Sequence, residues 1–207
     1  MCIRDRTEYD SQLDFVRNEI HQGLRIDGAG SCSWVSWDAL RSLENVETYL
    51  EIGTREGSSL YNVVIANPDS LKEIHIVDTW ESEYGGSGRG SHDHIDELLR
   101  EMNYSGAVVF HDGSSHDILP SLELENHFDA IYVDGDHSYE GGLNDLNNVL
   151  PLVKPGGLIL FDDIAHPAHL DLEDAFDKFV ELNESSLELS WKNKSGLGCG
   201  TARKKKT

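Results

Sequence analysis

Basic residues are scarce in this 207-residue chain. Seventeen lysines and arginines stand against 38 aspartates and glutamates, for a formal charge of −21 at pH 7. Nucleic acids and anionic membranes need a Lys/Arg footprint, so the charge balance argues against both as partners. The only basic run, ARKKKT at residues 202–207 with its flanking alanine and threonine, reads as a solvated terminus. Cysteine is equally sparse. Cys2, Cys32 and Cys199 lie far apart and form none of the CxxC spacings of zinc or redox sites, which points to a reduced, cytoplasmic protein. No apolar run approaches the roughly 18–20 residues of a membrane helix. The opening MCIRDRTEYD is charged, with no apolar stretch of a signal peptide behind it. MCIRDR matches one reading frame of a transposon end tag used in sequencing libraries, so the first six residues read as non-native.

What is present suits one globular core: 38% hydrophobic and 8% aromatic residues in a length typical of a single domain. Tyr9, Leu13, Val16, Ile20 and Leu24 recur at helical spacing, and Trp34, Trp37, Leu40 and Leu43 suggest a second short helix. Residues 1–45 therefore read as a helical cap, with Trp34 and Trp37 as candidate substrate contacts or core residues. From residue 46 to 207 the pattern changes. Short apolar strands (ETYLEIG, EIHIVDTW, GAVVFHDG, FDAIYVDGD, GGLILFDD) alternate with helical stretches near 58–66, 92–102, 115–123, 140–152 and 172–182. Alternation of this kind implies right-handed crossovers and a doubly wound, Rossmann-like α/β fold with helices on both faces of a mostly parallel sheet. SLELSWKN and GLGCGTARK, joined by a turn at 194–196, add an antiparallel C-terminal hairpin and bring the sheet to seven strands.

The first strand ends in Glu51 and runs into Gly53-Thr54-Arg55-Glu56-Gly57. No Lys-Ser/Thr follows the second glycine, so this is not a triphosphate loop. The dinucleotide fingerprint needs a glycine where Arg55 stands, which weakens a nicotinamide cofactor and the oxidoreductase it would serve. S-adenosylmethionine asks for less: a backbone turn for its aminoacyl end, acids nearby, and an acid for the ribose hydroxyls. Asp78 ends the second strand 25 residues after Gly53, close to the spacing of about 20 for a ribose-binding acid. The plainer alternative is that Glu51 caps a turn and Asp78 merely ends a strand. Ser58, opening the helix, and Thr79 and Trp80, after Asp78, join Gly53, Thr54 and Gly57 as cofactor contacts. In HDGSSHDILPSL, residues Asp112, Gly113, Ser114 and Ser115 face the adenine side of the same crevice, while Ser114 or Ser115 can equally be the helix N-cap.

Asp134 ends the fourth strand and Asp162-Asp163 end the fifth. Carboxyl ends of neighbouring parallel strands share one crevice, and three carboxylates there repel one another unless a cation or protons intervene. Mg²⁺ is the natural remedy, since it takes oxygen ligands and leaves positions for substrate hydroxyls. A capping or solvated Asp162-Asp163 pair is the alternative. Asp136 and His137 are the nearest bases for a hydroxyl proton, with His166 and His169 behind them; His137 could instead touch the cofactor or a carbonyl.

From Tyr49 to Ile164, through EIGTREGSS, IHIVDTW, HDGSSHDILP, FDAIYVDGDHSYEGGLNDL and LVKPGGLILFDD, the chain resembles class I S-adenosylmethionine-dependent methyltransferases. VDGDHSYEG followed by PGG…FDD is similar to the branch that includes sugar O-methyltransferases, and GSSHDILPSL to catechol O-methyltransferase. The resemblance implies divalent-metal-assisted O-methylation of a small hydroxylated molecule, with Asp134 also beside the cofactor, the metal on Asp134, Asp162 and Asp163, and Asp136 favoured as base. A metal-independent relative of the same fold is the alternative, and a homodimer is left open.

Overall fold

The computed structural model describes residues 35–81 and 90–206. The stretch from Tyr9 to Leu24, the six opening residues, Trp34, Cys2 and Cys32 lie outside the described residues. Within them the chain runs α1 (Val35–Arg41), β1 (Thr48–Ile52), α2 (Ser58–Ala66), β2 (Glu73–Asp78), α3 (His92–Glu101), β3 (Ala107–Asp112), α4 (Ser115–Ile118) with a 3₁₀ turn (Leu119–Ser121), β4 (Phe128–Val133), α5 (Tyr139–Val149), β5 (Val153–Asp162), α6 (Leu172–Leu182), β6 (Leu187–Asn193) and β7 (Cys199–Lys204). The strands form one sheet in the order β3-β2-β1-β4-β5-β7-β6. β1 to β5 pair in parallel, and β7 lies antiparallel between β5 and β6. This is the doubly wound, seven-stranded α/β architecture that the alternating pattern predicts.

Side-chain alternation along each strand explains the two faces. Tyr49 and Glu51 point to the side covered by α1, α2 and α3, where Trp37, Leu40, Leu60, Ile74, Ile76 and Ile95 make one core. Leu50 and Ile52 point to the other side, where Ile131, Leu146, Phe161, Phe176 and Phe179 make the second. Parallel strands buried on both faces must be apolar almost throughout, which makes the fully buried Glu51 of β1 stand out. Trp37 is 5% exposed, so it is a core residue. Through α1 the part of the cap that is described belongs to the same core as the sheet.

Three boundaries differ from expectation, each for a local reason. α5 stops at Val149, not 152: Leu150 keeps helical dihedrals (φ −57°, ψ −42°) as the C-cap, and Pro151, which has no N–H to donate, cannot continue the ladder. β5 starts three residues before Gly156, where Lys154 Nζ holds Asp129 Oδ1 (2.8 Å) and Thr48 Oγ1 (3.1 Å). β7 starts at Cys199 because Gly196 and Gly198 both have positive φ. The basic tail is also not simply solvated: Lys204 Nζ donates to the carbonyls of Leu150 and Val153 and to Asn126 Oδ1, each at 2.9 Å, and Lys205 Nζ donates to Ser185 O at 2.9 Å. No helix among the described residues is long and apolar enough to cross a membrane.

Candidate functional site at the carboxyl edge of the sheet

Strand order reverses between β1 and β4, and the loops that follow the two strands meet there. Gly53 at φ +81° brings its backbone so close to the next strand's exit that a Cβ would lie 2.0 Å from the carbonyl oxygen of Asp134. No L side chain fits that approach, so the glycine is required by contact as well as by dihedral. The turn continues through Arg55 (φ 54°) to Gly57 (φ 87°), with the Gly57 amide donating to Thr54 O at 2.8 Å. Thr54 is buried, and α2 then starts at Ser58 with no side-chain cap at its amino end. Uncapped helical amides are a ready partner for a ligand carboxylate.

Asp78 closes this turn from the neighbouring strand. Its Oδ2 accepts the Arg55 amide at 2.9 Å and its Oδ1 the Trp80 amide at 2.7 Å. A carboxylate offers about four lone-pair sites, so both oxygens keep room for a further donor. Asp112 lies beside it in register on β3 and is well exposed. Its Oδ1 accepts Trp80 Nε1 (2.8 Å) and bonds His92 Nε2 (2.6 Å), and these two donors hold its pKa below the usual carboxylate value. His92 stacks on Phe110 with centroids 4.0 Å apart, and Trp80 meets it edge-on. Gly113 donates its amide to Asp78 O at 3.0 Å, Ser114 caps α4 through the His116 amide at 3.3 Å, and Ser115 is buried. Thr79, half-buried, accepts the Glu81 amide at 3.3 Å.

Glu51 sits beneath this surface. Its oxygens accept Tyr49 Oη (2.6 Å) and Ser59 Oγ (2.7 Å), and complete burial raises its pKa to about 7 against the two bonds that stabilise the anion.

On the other side of the switch point the acids crowd one imidazole. His137 Nε2 lies 3.2 Å from Asp134 Oδ1 and 3.8 Å from Asp163 Oδ2. His169 packs against His137 with centroids 4.4 Å apart and the rings tilted by 33°, and His166 packs against His169 at the same separation with a tilt of 30°. Ligand atoms of His137, Asp163 and His169 all fall within 4.8 Å of one another. Burial pushes the His137 pKa down, but Asp134, Asp163 and Asp162 overcome it and raise the value to about 9. Asp163 is raised to about 8, by burial first and then by Asp162 and Asp134.

The predicted acids therefore share one rim but not one orientation. Asp134 and Asp163 face His137, whereas Asp162 turns inward: Oδ1 accepts Ser36 Oγ and the Asp163 amide, both at 2.8 Å, and Oδ2 accepts Tyr132 Oη at 2.5 Å. Burial and Asp134 raise its pKa to about 7. Asp136 also turns away from the His137 cluster. Oδ1 accepts the Ser138 amide (2.9 Å), its carboxylate packs where a Gly141 Cβ would stand, and Oδ2 lies 3.5 Å from His116 Nε2, next to the buried Asp145. Sequence reasoning passed over His92, Ser36, Tyr132, His116 and Asp145; the one signal near them was the glycine pair Gly141-Gly142, whose bare surface lets Asp136 pack close to the helix start.

An open depression of about 420 Å³ adjoins the His137 side, lined by His137, Tyr139, Glu140, His169 and Leu170 among others. That volume lies in the range of small-molecule sites.

Comparison with known proteins gives this crevice a family. An uncharacterized protein of Acanthamoeba polyphaga mimivirus is 34% identical over 124 residues, covering 56% of this chain; the chain spans about half (51%) of that relative's length. Among solved structures, the O-methyltransferase TomG of Streptomyces achromogenes, involved in tomaymycin synthesis and solved with S-adenosylmethionine, superposes with a TM-score of 0.63 at 21% identity, covering 94% of this chain and 89% of its own. An O-methyltransferase of Bacillus cereus, solved with S-adenosylhomocysteine, gives 0.61 at 18% identity, covering 99% and 94%. A family model described as a methyltransferase domain matches residues 50–164, from the middle of β1 through the loop after β5. That span is more than half of the chain and contains every residue of the crevice named above except Ser36, Tyr49, His166, His169 and Leu170, and so the chain belongs to the methyltransferase domain family, with the fold of the class I S-adenosylmethionine-dependent enzymes.

Proposed function

We propose that this chain transfers the methyl group of S-adenosylmethionine to a hydroxyl of a small hydroxylated molecule, working in the cytoplasm, with the β4–β5 rim handling the acceptor. The observation that carries the reading is the convergence of Asp134, His137, Asp163 and His169 beside an open depression of small-molecule size. Bound S-adenosylmethionine supplies a methyl group on a cationic sulfonium, and the chain's residues must grip its two ends. The Gly53–Ser58 turn and the α2 amino end suit the aminoacyl part. Asp78 suits the ribose; Trp80, Asp112, Gly113, Ser114 and Ser115 suit the base, with Thr79 alongside. Glu51 supports the turn from below through Ser59 on α2.

The donor set at the second rim fits a divalent cation in part. Asp134 and Asp163 would hold it, and Asp162 orients Asp163 by accepting its amide while itself fixed by Ser36 and Tyr132. Mg²⁺ bound there would supply polarisation of the acceptor hydroxyl. His137 is placed to take the hydroxyl proton, but the acids around it raise its pKa to about 9, so it serves as base only where their pull is offset by another cation. Asp136 acts through position, fixing the start of α5 next to His137.

One observation favours a metal-independent form of the same reaction: His137 Nε2 already lies between Asp134 and Asp163, 3.2 Å and 3.8 Å from their oxygens, where its imidazolium form would balance them. The family match gives the nicotinamide reading no support. Calorimetry with S-adenosylhomocysteine tests the cofactor, and absence of binding at millimolar ligand removes the proposal. Turnover that survives EDTA removes the metal and leaves the methyl transfer standing.

A further inference from the structure

A second group of ligating side chains lies at the opposite edge of the sheet. Glu73 and His75 are two apart on β2, which sends both side chains to the same face. His127 precedes β4, and its carbonyl is held by Thr48 Oγ1 of the intervening β1 at 2.6 Å. Glu73 Oε1 stands 2.7 Å from His75 Nε2 and 3.2 Å from His127 Nε2, and the three ligand atoms all lie within 4.8 Å of one another. His127 Nε2 is shielded from solvent yet makes no well-formed hydrogen bond despite that approach. We infer that Glu73, His75 and His127 form a binding site for a zinc-class divalent ion, separate from the methyl-transfer crevice.

The chemistry selects the ion. Two imidazoles and one carboxylate suit zinc and its late first-row neighbours, whereas Mg²⁺ prefers an all-oxygen shell. Zinc bonds of about 2.0–2.2 Å put ligand atoms roughly 3.3 Å apart in a tetrahedron, so the Glu73–His127 separation already fits and the Glu73–His75 contact opens by a fraction of an ångström. Metal-binding imidazoles use their second nitrogen to fix the ring. His75 has that partner: its Nδ1 lies 2.9 Å from His111 Nε2, and ligation through Nε2 requires the tautomer that donates Nδ1–H to His111. Phe128 meets the His75 ring edge-on at 5.1 Å and dries the inner side. Glu73 and His127 side chains each keep 30% exposure, which leaves access and a fourth position for water. β2 and β4 are not neighbours in the sheet, so an ion here ties them across β1. Along β2, Glu73 and His75 lie roughly 16 Å and 10 Å from Asp78, which makes the site a clasp towards the amino edge rather than part of the chemistry.

The test uses chelator-stripped protein carrying Asp163→Asn and His169→Ala, which removes the crevice ligands, titrated with zinc chloride in a calorimeter and followed by thermal unfolding. One ion per chain and a raised midpoint are expected. Adding His127→Ala should weaken binding tenfold to a hundredfold or more and abolish the rise in midpoint, and His111→Gln should weaken binding about tenfold. His127 is partly exposed, so its alanine variant is expected to fold, with circular dichroism as the check; if it does not, His111→Gln decides alone. No zinc binding in the crevice-silenced protein, or binding that the tested variant leaves unchanged, overturns the proposal.

Discussion

The two sides of the crevice treat their acids in opposite ways. Along β2 and β3, Asp78 and Asp112 are each held by N–H donors, two of them backbone amides and two from the rings of Trp80 and His92. Along β4 and β5, Asp134, Asp162 and Asp163 are packed against one another with His137 between two of them, and both Asp162 and Asp163 are pushed well above the usual carboxylate range. On one side the donors to the acids are already in place. The other stores unfavourable charge proximity that a cation, a proton or a substrate relieves. Under the proposed function, binding and chemistry would thus fall to different strands according to how their acids are satisfied.

The largest expected effect breaks the contrast from the crowded side. Asp163→Asn should lower kcat by about a hundredfold or more, equivalent to about 3 kcal/mol of barrier, while S-adenosylhomocysteine affinity changes little. Equal losses in both would mean that the sides are not separate. Where the sides touch, Gly53→Ala places a methyl 2.0 Å from Asp134 O at a positive φ and should cost about 2–4 kcal/mol in urea unfolding; unchanged stability would mean the two loops move independently.

The pH dependence of stability sharpens the comparison. Glu51 titrates from a reference of 4.5 to about 7 in the folded chain, so the folded state holds the extra proton and its contribution, roughly 3 kcal/mol for a buried group, is present below pH 4.5 and lost as pH rises through 7. Asp162 and Asp163 act in the same direction, losing their contribution through about 7 and 8, and His137, raised to about 9, loses its own as pH passes that value. The thermal midpoint in EDTA should therefore fall between pH 5 and 9, and fall less with Mg²⁺ present. A midpoint that rises over this range would contradict the charge crowding. The smallest effect belongs to the satisfied side: Asp112→Asn, at an exposed position, should weaken S-adenosylhomocysteine binding by less than about tenfold, near or below 1.4 kcal/mol, with no change in unfolding.

Most of the framework was legible because it is periodic. Six of the seven strands lie within the apolar runs chosen for them and β5 extends its run by three residues, and Asp78, Asp112, Asp134 and Asp162 all reach strand ends on one edge of the sheet. What escaped is orientation. Asp162 and Asp163 are adjacent in sequence, so nothing in the pair says that one turns inward to Ser36, 126 residues away, while the other faces His137. Asp136 and His137 diverge in the same manner, because the Ser138 amide and the bare surface of Gly141 capture the first and leave the second on the rim. Partners that come from distant elements leave no spacing to read.

Asp163 carries one more consequence in its own backbone, at φ 61°. Only glycine, asparagine and aspartate adopt this left-handed geometry with ease. Changes at this position are therefore filtered by geometry before chemistry has a say: charge can be given up through asparagine with the loop intact, but any bulkier or branched newcomer would disturb the path of the chain first. For protein engineers, that makes asparagine the informative exchange and alanine an ambiguous one, since the latter would mix a lost ligand with a reshaped loop.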